Sequence, residues 1–451
     1  MKIRLMMGIA ALAIAAGAGP TGAQTAQQRE HFASRADAKL HGSGASATIV
    51  TDGYGTAGDG GGATYRNAGN VGTAQPTDES SFKIGNVLFQ YVPDAAGIDV
   101  RQFGAKCNWD GTGLDPADMS AADINAQDDR PAIQSAIDFA ARKFGEDDRG
   151  GGGGQVVKLP ARSCMIGSTL RIKDQVTLKG HGPYSSVLVM PQTFAIDTHF
   201  VAIGSTTGLP TELASFASRL EDLQLWSNNG NAVSGMAMAY SNNTQHTGGL
   251  ARVKIFGGNR TAVKFEHGWG GASYVTLEDV EAYNYGDKDP RPTKGALTSV
   301  NPVIVVDYGE GTFVRATNIL VAGPWDADEV DAQQNPTPYY SESIGLILKG
   351  GQVEIDGFHA EGVGYPIWLR YAKGSVRLRN LTGGNGCKRA LVTIPNAAGT
   401  AQDPHVPQNT AIVGMAQPNG CADGTGTPVA LKDHRPGGVE VTGTIIEDRK
   451  Y

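Results

Sequence analysis

Short segments in which apolar and polar residues alternate recur along most of the chain. Seven of them begin at residues 236, 263, 304, 346, 367, 391 and 429. Longer alternating segments precede most of these, at 219–226, 250–256, 275–283, 314–322, 353–361 and 376–383. Alternation with a period of two predicts β-strands with one buried face. A short unit made only of strands buries that face by stacking on its neighbours, so the pattern predicts an all-β solenoid, a parallel β-helix.

One segment before these repeats has the spacing of a helix instead. Its apolar residues fall three or four positions apart, at Ile133, Ala136, Ile137, Ala140 and Phe144. Asp128 and Asp129 stand at its start, where carboxylates accept the free N–H groups of a first helical turn. Three short alternating segments follow, at 156–159, 170–172 and 176–178. The pattern therefore predicts one helix ahead of the first strands of the solenoid.

Composition excludes two other fold classes. Glycine accounts for 62 of the 451 residues, and only 18% of residues are charged while 40% are hydrophobic. Glycine and proline at this density break helices, which excludes a coiled coil or a helical bundle. The low charge and ample apolar content exclude a disordered chain.

The first residues are typical of an export signal. Lys2 and Arg4 precede an apolar run from Leu5 to Ala18, with small residues at Thr21 and Ala23. We expect a signal peptide at 1–23, a polar glycine-rich leader at 24–98 and the β-helix domain at 99–451. No later stretch is apolar enough to span a membrane. The expected location is secreted or periplasmic.

Net charge and cysteine content refine this expectation. A net charge of −7 argues against nucleic acid and anionic membranes as partners. In an exported protein the four cysteines are expected to form two disulfides, for which three connectivities exist. Pairing Cys107 with Cys164 and Cys387 with Cys421 closes the shortest loops and is the economical arrangement.

Residues 103–182 resemble a known superfamily. The stretch runs from FGAKCNWDG through DDRPAIQSAID to VVKLPARSCMIGSTLRIKDQVTLKGHG. It is similar to the opening of the pectate-lyase/rhamnogalacturonase/epimerase-like superfamily, and residues 53–66 resemble the lead-in of phage tailspike-like proteins. The resemblance implies a single-stranded right-handed parallel β-helix whose first coils are capped by the helix. Tailspike-like relatives are trimeric, but this sequence shows no heptad or trimerisation segment, so the oligomeric state stays open.

Three short matches point towards family 28 glycoside hydrolases without carrying their signature. They are Asp128–Asp129, Arg171–Ile172–Lys173 and Gly180–His181–Gly182, and their order along the chain differs from that of the family. We expect structural roles for all three: helix capping for the aspartates and backbone turns for the glycines.

Stacking the seven short segments predicts a ladder of charges. Aligning them through Val263, Ile304, Leu346 and Ile367 places one charged residue of each on consecutive coils, namely Glu266, Asp307, Lys349 and Arg370. Neighbouring rungs of a sheet are about 4.8 Å apart. Glu266 and Asp307 would repel at that distance unless a cation such as Ca²⁺ bound between them. The two expectations are therefore a calcium site at these carboxylates or no cofactor.

Further candidates surround this ladder. Lys264 and Trp368 are expected in the outward column beside it, and the insertions 285–302 and 324–343 are expected to wall the same face. The second insertion carries Tyr339, whose ring suits a sugar. His267, directly after Glu266, is a further candidate. His359 and Glu361 on a neighbouring strand form a second candidate acid–base pair.

These residues predict an enzyme acting on an acidic, uronate-containing polysaccharide by β-elimination. Lys349 or Arg370 would neutralise the uronate or abstract its proton, while Glu266 and Asp307 would hold calcium or substrate. Two alternatives remain at this stage. One is a glycoside hydrolase with Glu266 and Asp307 as its carboxylate pair. The other is a non-catalytic polysaccharide-binding or surface-structural β-helix.

Overall fold

A computed structural model describes residues 28–76, 79–109, 127–142, 155–173, 175–191, 194, 199–204, 215–227, 237–242, 244–245, 248–256, 261–266, 274–283, 304–306, 313–322, 344–348, 352–369, 375–383, 391–394, 409–412, 416–417, 429–433, 440–442 and 449–450. The signal peptide expected at 1–23, the insertions at 285–302 and 324–343, and Cys387 and Cys421 lie outside these ranges. No helix in the described part of the chain is long and apolar enough to cross a membrane.

The segment expected to be a polar leader contains a small folded unit. Its elements are β1 (Arg29–Phe32), α1 (Arg35–His41), β2 (Thr48–Thr51), β3 (Ala63–Asn70), β4 (Ser81–Ile84) and β5 (Val87–Val92). The strands form one sheet in the order β1-β2-β3-β5-β4. Tyr65, Phe82 and Phe89 are buried on it. Phe82 stacks on Phe89 and meets the ring of Tyr65 edge to face, and this aromatic core explains why so glycine-rich a segment folds.

The first coils of the solenoid follow this unit. They comprise β6 (Ile98–Asp99), a 3₁₀ turn (Val100–Phe103), α2 (Arg130–Arg142), β7 (Gln155–Lys158), β8 (Ser163–Met165), β9 (Leu170–Ile172), β10 (Val176–Lys179), β11 (Val187–Met190), β12 (Val201–Gly204) and β13 (Ser215–Phe216). Helix α2 buries Ile133, Ala136, Ile137 and Ala140 as the spacing predicts. The described helix therefore contributes its apolar face to the core at the first coils.

The repeating coils alternate long and short strands. They are β14 (Arg219–Ser227), β15 (Ala237–Asn242), β16 (Thr244–Gln245), β17 (Gly249–Phe256), β18 (Thr261–Glu266), β19 (Val275–Tyr283), β20 (Ile304–Val306), β21 (Phe313–Ala322), β22 (Ile344–Leu348), β23 (Gln352–Glu361), β24 (Tyr365–Leu369), β25 (Ser375–Gly383), β26 (Val392–Ile394), β27 (Asn409–Ile412), β28 (Ala416–Gln417), β29 (Val429–Asp433), β30 (Glu440–Thr442) and β31 (Arg449–Lys450). Strands β27 and β28 lie within residues 396–428, where the repeat pattern predicts an insertion between the last two short segments.

Most strands of the coils belong to two large sheets, and within each sheet neighbouring strands follow the order of the chain. The long strands form a 14-stranded sheet along the path β31-β27-β25-β23-β21-β19-β17-β14-β10-β7-β6, and the short strands a 10-stranded sheet ordered β30-β29-β26-β24-β22-β20-β18-β15-β12-β9. Neighbours pair in parallel, except that β31 and β30 pair antiparallel with the strands beside them. The fold is a parallel β-helix, which confirms the predicted fold class.

The ends of the short-strand sheet differ from its middle. Strand β9 is its first strand, and the side chain of Gln134 on α2 occupies the position of a further strand beside it. Its Oε1 accepts the N–H of Arg171 at 2.9 Å, and its Nε2 donates to the Arg171 carbonyl at 3.0 Å. At the other end the antiparallel strand β30 closes the sheet.

The predicted inward columns are correct in the middle of the solenoid and wrong towards its ends. Val263, Ile304, Leu346 and Ile367 pair in register and are buried. The segments beyond them are displaced. Ala239, not Met236, pairs with Val263, and Val392, not Leu391, pairs with Ile367. Short apolar runs such as LVTIP fit two registers equally well, and contacts with neighbouring coils decide between them.

Cys107 and Cys164 form a disulfide, which confirms the first of the two expected bridges. The bond joins the segment before α2 to β8, across 57 positions of sequence. Asp129 lies beside it and accepts the backbone N–H groups of Lys106 and Cys107. Asp128 is the aspartate that caps the helix start, since it accepts the N–H of Arg130. The prediction that both aspartates cap α2 is thus wrong for Asp129.

Candidate functional site

Each long strand bends at one residue in the left-handed backbone conformation. The bend residues are Asp222, Arg252, Asp279, Asn318, Gly357 and Asn380, with φ values from 50° to 78°. The pairing register omits each of them and resumes one residue later. Stacked on consecutive rungs, the six positions form a row of polar groups and one glycine along the outside of the 14-stranded sheet.

A groove of about 350 Å³ lies along this row on β19, β21, β23 and β25. We call it the bend groove. Its polar lining consists of the bend residues and the side chains two positions after them: Asp279, Glu281, Asn318, His359, Asn380 and Thr382. Four consecutive rungs span about 14 Å, the scale of a short chain of small units. Gly357 has no side chain at its bend position, and this absence contributes to the depth of the groove.

Hydrogen bonds between rungs hold the lining side chains in place. Asn318 Nδ2 donates to Asp279 Oδ1 at 2.9 Å. His359 contacts two groups at once: its Nδ1 lies 2.7 Å from Thr382 Oγ1, and its Nε2 lies 2.9 Å from Glu361 Oε1. Side chains fixed in this way present defined donors and acceptors to a ligand.

A cluster of aromatic rings and one lysine stands at the β17 end of the groove. Lys254 Nζ pairs with Glu281 Oε2 at 3.2 Å and lies 4.5 Å from the ring centre of Tyr184 and 4.8 Å from that of Tyr283. Phe256 packs on Tyr283 with ring centres 5.7 Å apart. Tyr184 is 77% exposed, so one aromatic face beside the groove is open to solvent.

Burial and hydrogen bonding act in opposite directions on Lys254. Burial alone lowers the pKa of its ammonium, but the hydrogen bonds to Tyr184 and Glu281 outweigh burial and the pKa is raised. Burial, followed by the charge of Glu281, raises the pKa of the Tyr283 hydroxyl. At neutral pH the cluster therefore holds a charged lysine and a protonated tyrosine.

The residues of the charge ladder lie largely outside the described part of the chain. This applies to Asp307, Lys349, Arg370 and the side chain of Glu266, and also to His267 and Tyr339. The residues that directly precede the four ladder positions pair in register from strand to strand: Phe265, Val306, Leu348 and Leu369. The ladder itself stays a prediction.

Two described candidates flank the predicted ladder. Lys264 is half-buried and pairs in register with Val305. Trp368 lies away from the main core, as expected of an outward position, but it is only 7% exposed. It packs with Ile344 and Ile347 and stacks on Tyr365 with ring centres 5.5 Å apart. Its expected role in binding sugar stays a prediction, and the ring as described is largely covered.

Of the residues that line the bend groove, the sequence predicted only His359, together with its neighbour Glu361. Asp279, Glu281 and Thr382 were treated as ordinary positions of alternating strands. A signal for them exists in a four-residue pattern: an apolar residue, one variable residue, a bend residue and another apolar residue. It recurs in LEDL, LARV, LEDV, ATNI, IDGF and LRNL. Aligning the long strands on that pattern brings these side chains onto one face.

One group of potential metal ligands occurs in the described ranges. Cys107, Asp129 and Cys164 approach within 4.8 Å of one another. The two sulfurs are bonded to each other and the carboxylate accepts backbone N–H groups, so these residues hold the fold together and do not form a metal site. The calcium site expected at Glu266 and Asp307 involves side chains that lie outside the described part of the chain.

Comparison with known proteins identifies likeness at the level of fold. No family model matches the sequence, and no curated protein matches it. Among solved structures, the chain is similar to WceF of Pantoea stewartii, which is described as a glycan biofilm modifying enzyme with a tailspike-like parallel β-helix fold. The TM-score is 0.46 and the identity 11%, over 85% of this chain and 50% of that one. The chain thus spans half the length of that protein.

Two other solved structures have different described functions. PfbA, a surface adhesin of Streptococcus pneumoniae, is similar with a TM-score of 0.43 and 11% identity, over 75% of this chain and 81% of that one. The A-module of the mannuronan C-5 epimerase AlgE4 of Azotobacter vinelandii has a TM-score of 0.30 and 15% identity, over 70% of this chain and 87% of that module.

Proposed function

We propose that the protein is an exported, carbohydrate-active β-helix protein that binds a polysaccharide in the bend groove and hydrolyses it there. The observation that carries the proposal is the lining of the groove, where the two carboxylates Asp279 and Glu281 stand among amide, imidazole and hydroxyl groups. Sugars are bound through such planar polar groups and through aromatic faces. The exposed ring of Tyr184 supplies such a face beside the groove.

The two carboxylates suit the chemistry of glycosidic bonds. Glycoside hydrolysis uses a pair of carboxyl groups, one giving a proton to the leaving oxygen and the other acting as base or nucleophile. Glu281 is fixed by Lys254 Nζ and by the hydroxyl of Tyr283 at 3.3 Å. Asp279 is held by Asn318 and is exposed. The carboxylates therefore have different surroundings, which is what a division into acid and base requires.

The charge of the groove indicates which part of a glycan it accepts. Among the described residues that line it, none is lysine or arginine. A uronate carboxylate would meet Asp279 and Glu281 there, and the ammonium of Lys254 at the β17 end is already paired with Glu281. The groove therefore favours an uncharged, hydroxyl-rich stretch of polysaccharide.

A panel of neutral and acidic polysaccharides, assayed for saturated reducing ends and for unsaturated products, tests the proposal. We expect saturated ends, and we expect Glu281→Gln and Asp279→Asn each to lower their production by at least about 100-fold, the usual contribution of acid–base catalysis. Glu354→Gln is the matched control, since Glu354 also pairs with a cation at 3.2 Å, namely Arg377, but lies outside the bend groove. Equal losses in Glu281→Gln and the control would refute the assignment.

The second candidate is the predicted β-elimination of an acidic polysaccharide at the charge ladder. The register of Phe265, Val306 and Leu348 favours it, because the strands that lead to the ladder positions are stacked rung on rung. In this proposal Lys349 or Arg370 neutralises the uronate or takes its proton, and Glu266 with Asp307 holds Ca²⁺.

The same panel separates this candidate from the first. Unsaturated, ultraviolet-absorbing products that disappear in Lys349→Ala or Arg370→Ala would support β-elimination. A rise in melting temperature with calcium, lost in Asp307→Asn, would support the metal site. Binding without any product would instead indicate a non-catalytic polysaccharide-binding protein.

A further inference from the structure

Three groups beside the bend groove form a hydroxyl–imidazole–carboxylate series. Thr382 on β25 and His359 on β23 pair in register, so they stand on adjacent rungs with their side chains on the same face. Thr382 Oγ1 lies 2.7 Å from His359 Nδ1, and His359 Nε2 lies 2.9 Å from Glu361 Oε1. Thr382 and His359 line the groove, whereas Glu361 stands behind the imidazole. The reactive end of the series therefore faces the space where a ligand fits.

The hydrogen-bond pattern assigns the protons. A carboxylate only accepts hydrogen bonds, so His359 Nε2 carries the proton shared with Glu361, and in the neutral imidazole that a general base requires Nδ1 accepts from the Thr382 hydroxyl. The other contact of that hydroxyl, to the carbonyl of Phe358, is longer at 3.3 Å. A hydroxyl bonded to a base that is itself oriented by a third group is the arrangement of an activated nucleophile.

We propose that Thr382, His359 and Glu361 hydrolyse esters, and that the substrate is an O-acylated carbohydrate. The assignment of an acyl ester rests on this triad alone, while its carbohydrate part rests on the proposed function of the groove. Glu361 is a positioning residue, and Thr382 and His359 are the catalytic residues.

The reaction proceeds in two balanced steps. Thr382 Oγ1 attacks the ester carbonyl while its proton passes to His359 Nδ1. The bond between the carbonyl carbon and the sugar oxygen then breaks, and that oxygen takes the proton from His359. In the second step water attacks the acyl-threonine, His359 accepts the water proton, and Thr382 leaves with a proton returned by His359. The products are a sugar hydroxyl and a carboxylic acid.

Asn380 is the neighbouring donor for the oxyanion. It lines the groove two residues before Thr382 on the same strand. Its amide has two N–H groups, of which one is donated to Asp356 Oδ1 at 2.7 Å. The second N–H belongs to a side chain already fixed by that bond, and a fixed donor stabilises developing negative charge without reorganisation.

Ester hydrolysis of p-nitrophenyl acetate, and acetate release from an O-acetylated polysaccharide, test the proposal. We expect activity in the full chain, at least a 100-fold loss in Thr382→Val and in His359→Gln, and retained activity in Thr382→Ser. Glu361→Gln should lower kcat with KM unchanged, because Glu361 orients the base and does not touch substrate. Thr317→Val on β21, an outward threonine outside the groove, is the matched control.

A fluorophosphonate probe, which traps activated hydroxyl nucleophiles, should label the peptide that carries Thr382 in the folded protein. Absence of labelling, absence of ester hydrolysis, or full activity in a folded Thr382→Val variant would each overturn the proposal. Measuring acetate and reducing ends in the same reactions keeps the two functions apart. Release of acetate without reducing ends would support the esterase and contradict glycan hydrolysis. Release of reducing ends without acetate would support glycan hydrolysis and contradict the esterase.

Discussion

At the scale of single residues, Asp222 and Arg252 show how a bend position is held in an unfavourable backbone conformation. Both residues are in the left-handed region, with φ values of 55° and 52°, where a residue with a side chain loses about 1–2 kcal/mol. Arg252 donates from Nε and from its terminal nitrogen to the Asp222 carboxylate, and Lys179 approaches the same carboxylate at 3.3 Å. The charged contacts on adjacent rungs offset part of that penalty.

The Asp222–Arg252 pair predicts a loss of stability in acid. The hydrogen bond from Arg252 lowers the pKa of Asp222. A carboxyl group with a lower pKa in the folded protein stabilises it above the unfolded pKa of about 3.9 and loses that contribution as the pH falls through the folded value. Unfolding by urea between pH 7 and pH 2 should therefore show less acid sensitivity in Asp222→Asn than in the wild type.

Arg252→Gln is the companion variant for that measurement. Because the pair acts as a unit, the free energy of unfolding of the double variant should fall by no more than the sum of the losses in the two single variants at neutral pH. The difference between these two values, the coupling energy, should be about 1 kcal/mol or less for a partly exposed pair. An unchanged pH profile in both single variants would contradict the assigned cause of the pKa shift.

Single residues were also where sequence reasoning was least reliable. The capping role of Asp128 follows from its position before α2, and the structure confirms it. The partners of Asp129 are backbone groups 22 and 23 residues earlier in the chain, and nothing in local spacing reports a contact of that kind. The covered position of Trp368 is likewise a property of packing between coils, which alternation along one strand does not encode.

At the scale of elements, the six long strands could be predicted to within one residue at each end. The segment 275–283 matches β19 at both ends, because alternation is strong wherever one face of a strand is buried. The bounds of the short strands were predicted less closely. The bends inside the long strands were missed. A single left-handed residue interrupts the alternation only briefly, and Asp, Asn and Gly at that position read as ordinary polar positions.

Gly357 provides a prediction at this scale. It bends β23 with a φ of 78°, and a Cβ at this position would lie 2.8 Å from Asn318 Oδ1. Gly357→Ala should lower the free energy of unfolding by about 1–2 kcal/mol from the backbone alone, with the contact adding to this. Thermal or urea unfolding measures the loss.

Gly58→Ala separates the two contributions. Gly58 has a φ of 83° and no heavy atom within 4 Å of the added Cβ. That variant should show the backbone penalty without the contact, so Gly357→Ala should be the more destabilised of the two. The reverse order would show that the bend in β23 tolerates a side chain.

At the scale of the whole molecule, the repeat intervals were sufficient to predict a parallel β-helix, since units of that length have no other way to bury their strands. The N-terminal unit was not predicted as a folded unit. Its strands are separated by glycine-rich turns, and its core depends on Tyr65 packing against the stacked pair of Phe82 and Phe89, which comes from a hairpin 17 or more residues later in the sequence.

The disulfide between Cys107 and Cys164 predicts a global effect. Closing a loop of 57 residues removes chain entropy from the unfolded state worth about 4 kcal/mol. Replacing both cysteines by serine should lower the free energy of unfolding by about that amount. Reductant should lower the stability of the wild type by at least this amount and that of the variant by less, since only the expected Cys387–Cys421 bridge is left to reduce there. A variant as stable as the wild type would show that the helix and first coils hold together without the bond.

A stack of parallel strands has no intrinsic length, since every terminal strand offers its N–H and C=O groups as a template for another. Gln134 on α2 already occupies these groups of Arg171 at the first short strand, and β30 and β31 run against the direction that a further coil would need. These strand ends are thus poor templates for end-to-end polymerisation. The described coils thus end in groups that disfavour the addition of a further coil, which opposes the growth of a fibre from these strands.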